Sequence, residues 1–86
     1  MNIVLDCENL RQRKQAHQYL AQLLEFPSYY GKNLDALFDC LMELGDCTIE
    51  LIGREALLQD GGYGAKVLKV LEEAAQANPG LRLEVH

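Results

Sequence analysis

The chain has 86 residues, 49% of them hydrophobic and 24% charged, proportions that fit one globular domain over 1–86 and argue against a disordered or two-domain chain. Eight Lys and Arg against 13 Asp and Glu give a net charge of −5; this argues against nucleic acid as a partner, because phosphate binding needs dense cationic charge, and for a basic partner or plain solubility. No apolar run approaches the ~18 residues of a membrane span, no secretory leader is visible, and Cys7, Cys40 and Cys47 lack the close pairs of a zinc site, so they read as reduced, packed thiols of a cytoplasmic protein.

In chain order, Ile3-Val4-Leu5 is a short apolar run rich in branched residues and predicts a buried strand. Over 13–25, Ala16, Tyr19, Leu20, Leu23 and Leu24 follow helical spacing until Pro27 forbids continuation. Over 34–44, Leu34, Leu37, Leu41 and Leu44 repeat that spacing, with Asn33 as N-cap, Asp35 at the positive end and Gly45 closing the helix. Residues 48–52 alternate apolar and polar as a half-buried strand does, and 54–58 add one short helical turn. Gly61-Gly62-Tyr63-Gly64 reads as a turn, lacking the Lys-Ser/Thr ending of a phosphate loop. A helix over 65–77 carries Val67, Leu68, Leu71, Ala74 and Ala75 on one stripe and stops at Asn78-Pro79-Gly80, after which 81–85 alternate again. The order β-α-α-β-(α)-α-β predicts a small α/β domain, a single layer of three parallel strands covered by three to four helices, with the other face of the sheet wetter.

The charge is unevenly placed. Between Asn33 and Gly53 stand Asp35, Asp39, Glu43, Asp46 and Glu50, without a Lys or Arg. At 100° per residue Asp35, Asp39 and Glu43 fall within about 80° of one another, opposite the leucines. Each like-charge i, i+4 pair costs an isolated helix about 0.2–0.5 kcal/mol, so an unrelieved acidic ridge is a local conflict of the kind expected where a surface serves a partner. The bland alternative is a solvated face. Phe38 lies about 60° from Asp35 on the side away from Glu43, and the preceding loop supplies the adjacent pair Tyr29 and Tyr30. Neighbours in an extended segment point to opposite sides, so one tyrosine is expected to be buried and the other offered to a partner.

Catalytic chemistry is thinly represented. His17 and His86 have no adjacent acid–nucleophile grouping and read as packed or solvated. Arg11, Arg13 and Lys14 read as a solvated basic face. Asp35 and Asp39 are of the type that ligates Mg²⁺ or shares a proton, yet they sit on what should be convex, pocket-poor helix surface, so no catalytic residue, metal or cofactor is expected.

The run Pro27-Ser28-Tyr29-Tyr30-Gly31-Lys32-Asn33-Leu34-Asp35-Ala36-Leu37-Phe38-Asp39-Cys40-Leu41 closely resembles the signature of the barstar family, intracellular inhibitors of the secreted bacterial ribonuclease barnase. The likeness extends over nearly the whole chain, and residues 64–74 are similar to the family's last helix. The resemblance implies a cytoplasmic inhibitor, monomeric when free, that blocks a basic ribonuclease with its acidic helix and the preceding loop. By position, Asp39 would meet the enzyme's phosphate-binding groups and Asp35 would lie beside it. Tyr29 would stack on a catalytic imidazole and Phe38 would pack at the edge. Asn33 and Tyr30 belong to the same motif, with Tyr30 as support; Glu43 extends the ridge and Glu73 on the last helix completes the negative face. Three features depart from the family pattern: Lys32 stands where an acid is frequent, Phe38 replaces a tryptophan, and the turn 45–47 is short and lacks a further aromatic. They motivate an alternative, an interaction or immunity module of the same fold for a different partner.

Overall fold

The computed structural model describes residues 1–57 and 62–86 in full and 58–60 by their backbone. Strand β1 (Asn2–Asp6) pairs in parallel with β2 (Cys47–Ile52), and β2 with β3 (Leu81–Val85), so β2 is central. Parallel strands need long crossovers. The first holds a 3₁₀ turn (Cys7–Leu10), α1 (Arg13–Leu23) and α2 (Leu34–Met42); the second holds α3 (Glu55–Asp60) and α4 (Tyr63–Ala77). This is the three-stranded parallel α/β architecture that the order of elements predicts.

The sheet alternates as a half-buried sheet must. Cys47, Ile49 and Leu51 of β2 are buried and face the core with Leu5 and Leu81, while Thr48, Glu50 and Ile52 share the other face with Val4, Arg82 and Glu84. One expectation is corrected in part: of the strand at 3–5, Leu5 is fully buried and Ile3 half-buried, but Val4 is not buried. Val4 is 54% exposed, because β1 is an edge strand and its middle residue stands on the open face. Among the described residues no helix is long and apolar enough to cross a membrane.

Helix boundaries explain where the periodic pattern misleads. Helix α1 stops at Leu23, two residues short of the expected end, because Glu25 adopts φ 55° and the Phe26 amide donates to the Ala21 carbonyl at 3.0 Å, a left-handed C-terminal cap. Helix α2 ends at Met42 rather than Leu44, and Gly45 does not close it. Instead the buried Asn78 reaches across from the end of α4, its Nδ2 donating to the carbonyls of Leu41 and Leu44 at 3.0 Å each. That side chain adds a donor to the carbonyls of the helix end, of which that of Leu41 also accepts from the Leu44 amide at 3.3 Å. The glycine run is also corrected. Tyr63 and Gly64 are helical, with Gly62 as N-cap, and Gly61 lies outside the described residues. A Cβ on Gly64 would come within 2.4 Å of Leu57 Cδ2 and 3.0 Å of the Leu10 carbonyl, so in the first turn of α4 only glycine admits the neighbouring segments so closely.

Candidate functional site

The acidic helix begins at a well-made cap. Asn33 is extended (φ −137°, ψ 173°), and its Oδ1 accepts from the Ala36 amide at 2.7 Å. Leu37 and Leu41 are fully buried beneath α2, which packs on α4, and this turns Asp35, Asp39 and Glu43 outward, all three exposed. Among the described residues none of these carboxylates forms an ion pair, nor does Glu73. The contrast with their neighbours in sequence is informative. Asp46 is bound by Arg82 at 2.5 Å, which holds its carboxyl below the usual range, and Glu50 lies 3.8 Å from the His86 ring. The cation-free stretch is therefore compensated at its C-terminal end and left bare on α2.

The loop before α2 resolves the tyrosine pair. Tyr30 is buried, its ring 4.9 Å from that of Phe26, and its amide donates to the Pro27 carbonyl at 3.0 Å. Tyr29, pointing the opposite way, is 83% exposed. Tyr30 is thus buried, with only its edge reaching the surface. Burial pushes its phenol above the ordinary range, with Cys40 and Tyr63 adding to the effect.

Tertiary packing divides the ridge that a helical wheel draws as continuous. Between the loop and α2 lies a depression of about 250 Å³ lined by Tyr29, Tyr30, Asp39, Cys40 and Glu43 among others. The surface is therefore concave there, which corrects the expectation of a purely convex helix face. Asp35 belongs to a different depression, of about 370 Å³, with Asn33, Leu34, Arg13 and Tyr63. Phe38 is half-buried against the core and lines neither, and Glu73 is exposed on α4, also outside both. The site is thus a two-residue acidic groove, Asp39 and Glu43, beside an exposed aromatic ring, with Asp35 one turn away facing Arg13.

Three features escape a linear reading. Arg13, Lys14 and Lys32, from two separated segments, line one cavity of about 280 Å³ with His17 at its wall, so the acidic groove has a cationic neighbour. Lys32 sits at φ 56°, a left-handed conformation that non-glycine residues seldom adopt. His17 is 1% exposed and packed, its Nδ1 hydrogen-bonded to the Tyr30 hydroxyl at 2.6 Å and its Nε2 to the Tyr63 hydroxyl at 2.5 Å. Burial pushes its pKa down, and Arg13 adds to the shift. Cys40 borders the groove with its thiol pKa raised by burial and by Glu43 and Asp39, which makes it a poor nucleophile. Asp35 and Asp39 take part in no three-donor cluster; among the described residues Glu50, Glu84 and His86 form the one such grouping, on the open face of the sheet.

Comparison with known proteins gives the geometry its context. The family model described as Barstar (barnase inhibitor) matches residues 1–85. A curated Bacillus subtilis (strain 168) protein named "Putative ribonuclease inhibitor YrdF" is similar, 35% identical over 77 residues, covering 86% of this chain and 85% of its own length. With a parallel three-stranded sheet, a capped acidic helix and a family match across all but its last residue, the chain belongs to the barstar (barnase inhibitor) family.

Proposed function

We propose that this protein inhibits a basic ribonuclease by laying the groove face of α2 and the Tyr29 loop over the enzyme's active site, acting without catalysis of its own. The observation that carries the proposal is that Asp39 and Glu43 are exposed, without an ion pair among the described residues, and set beside an 83% exposed tyrosine. A ribonuclease cleft must hold a phosphate with fixed cations. A carboxylate presented on a rigid helix satisfies the same cations without offering a bond to cleave, and the ring of Tyr29 supplies apolar area over a neighbouring base or imidazole. Family membership supports this assignment, and the name of the Bacillus relative points the same way. Asp39, at the middle of the ridge, is the central anchor; Asp35 and Phe38 act at the rim, Asn33 and Tyr30 act as supports, and Glu73 adds long-range charge. In this scheme the free inhibitor is a cytoplasmic monomer.

The test is cleavage of RNA by a purified basic ribonuclease of the barnase kind, measured against inhibitor concentration. Wild type suppresses cleavage. Asp39→Ala weakens binding by about 2–5 kcal/mol or more, the general cost of leaving a desolvated interfacial charge without its partner. Glu43→Ala costs distinctly less, and added salt slows association. Unchanged cleavage at micromolar protein refutes inhibition of that enzyme, and equal losses from both substitutions remove Asp39 as the anchor.

A second reading is favoured by the cations around the groove. Arg13, Lys14 and Lys32 line one cavity, and Arg13 also shares the depression of Asp35, so positive charge adjoins the Asp35 end of the ridge, which suits a partner whose cationic centre is bordered by acid and fits a uniformly basic cleft less well. Reversing Lys32 to Glu separates the two: tighter binding to a basic ribonuclease supports the first reading, and weaker binding supports the second.

A further inference from the structure

We infer that His17 is a positioning residue for the partner-facing loop: its two ring nitrogens tie the Tyr30 hydroxyl to the Tyr63 hydroxyl of α4, and this tie holds Tyr29 over the acidic groove. The inference deepens the inhibitor reading and rests on it only for the effect on binding.

The segment between α1 and α2 has no regular structure and few internal bonds, one from the Tyr30 amide to the Pro27 carbonyl and one from Asn33 Nδ2 to the Gly31 carbonyl at 3.4 Å. Its anchor is the ring of Tyr30, 7% exposed. Apolar packing against Phe26 holds that ring loosely in rotation, whereas a hydrogen bond from its hydroxyl fixes a direction. The partner for that bond is His17 Nδ1 at 2.6 Å, 13 residues earlier on α1, and the imidazole is itself oriented by Tyr63, 46 residues further on, its ring 5.5 Å away. A neutral imidazole donates through one nitrogen and accepts through the other, so one tyrosine gives its proton and the other receives one. The three groups form a linear chain centred on the buried imidazole, and losing either hydroxyl leaves a ring nitrogen of His17 unsatisfied. Because Tyr29 and Tyr30 are adjacent and point opposite ways, the pose of the buried ring sets the pose of the exposed one. Through Tyr63, the groove loop is coupled to the first turn of α4.

The experiment compares wild type, Tyr63→Phe, His17→Leu and His17→Gln by native-state hydrogen exchange of amides 28–33, with the β2 amides as the internal reference for global opening, and by dissociation rate from a basic ribonuclease. Tyr63→Phe keeps the ring and the packing while removing only the hydroxyl. It is expected to speed exchange in 28–33 by about tenfold, the size of one lost hydrogen bond, with β2 unchanged. It should also raise the dissociation rate while leaving association alone. His17→Leu behaves likewise, and His17→Gln, which retains a donor and an acceptor, restores much of the protection. Equal exchange in 28–33 for wild type and Tyr63→Phe overturns the inference, as does loosening that matches β2 in every variant. If wild type fails to bind ribonuclease, the inhibitor reading falls while the exchange comparison still decides the role of His17.

Discussion

Replacing Asn78 by Ala tests how α2, and with it the acidic groove, is held in place. The side chain is 8% exposed and makes three short bonds: to the Leu41 and Leu44 carbonyls at 3.0 Å each, and from the Gly80 amide to its Oδ1 at 3.0 Å. Alanine fills neither role. The Leu41 carbonyl keeps only the longer bond from the Leu44 amide at 3.3 Å, whereas the groups near exposed Gly45 regain water, so about one of the three bonds is lost at close to full cost. At roughly 1–3 kcal/mol for a buried group left under-satisfied, the expected loss is about 1–3 kcal/mol, a sizeable share of the roughly 4–13 kcal/mol that a chain this size commands. Equilibrium urea unfolding measures the loss directly, and the midpoint of thermal unfolding should drop by roughly 4–24 °C. Asn78→Asp sharpens the test. It keeps the acceptor for Gly80 but sets a carboxylate against two carbonyls, so at neutral pH it must be less stable than Asn78→Ala. A loss below about 0.5 kcal/mol for Ala, within the range of an ordinary surface change, or an Asp variant more stable than the Ala variant, refutes the cap.

Other outcomes follow from single positions. Gly64→Ala gains about 1 kcal/mol of helix propensity but drives a methyl to 2.4 Å from Leu57 and 3.0 Å from the Leu10 carbonyl; the net result is a loss of about 1–3 kcal/mol in denaturant unfolding. Asn33→Ala removes the cap on Ala36 and costs about 0.5–2 kcal/mol, while Asn33→Asp costs a few tenths. His17, enclosed by Tyr30 and Tyr63 with Arg13 nearby, has its folded-state pKa below the unfolded 6.5, so the unfolded chain binds the extra proton. Stability is full above about pH 6.5 and declines as pH falls toward the folded value. Urea midpoints from pH 7.5 to 5 should trace that decline, and His17→Gln should flatten it.

Much of the fold was legible because local and global signals agree. The alternation of 48–52 and 81–85 marks strands with one wet face, and Asn33 followed by a leucine stripe marks the start of α2. Where the pattern misled, the cause was tertiary. Val4 reads as core but stands on the open face of an edge strand; Gly64 reads as a turn but lies in α4, its lack of a side chain set by the close approach of Leu57 and the Leu10 carbonyl; Gly45 reads as the cap of α2, a task that Asn78 performs from 34 residues beyond Leu44. The candidate site divides the same way. Carboxylates 35, 39 and 43 share a face by helical period alone, but that Tyr29 joins Asp39 and Glu43 while Arg13 joins Asp35 depends on how the loop and α1 pack around α2, which spacing along the chain does not encode. The link from His17 to Tyr63 is of the same kind.

The open sheet has a consequence for self-association. With β2 in the middle, β1 and β3 each end the ladder, and a parallel edge can accept a strand of another molecule without closing a ring, a geometry that propagates into fibres. The outward residues of β3 are Arg82 and Glu84, opposite in sign and carried on alternate positions. They act as gatekeepers of that template, and substitutions that neutralise them would trade colloidal stability for growth at the edge.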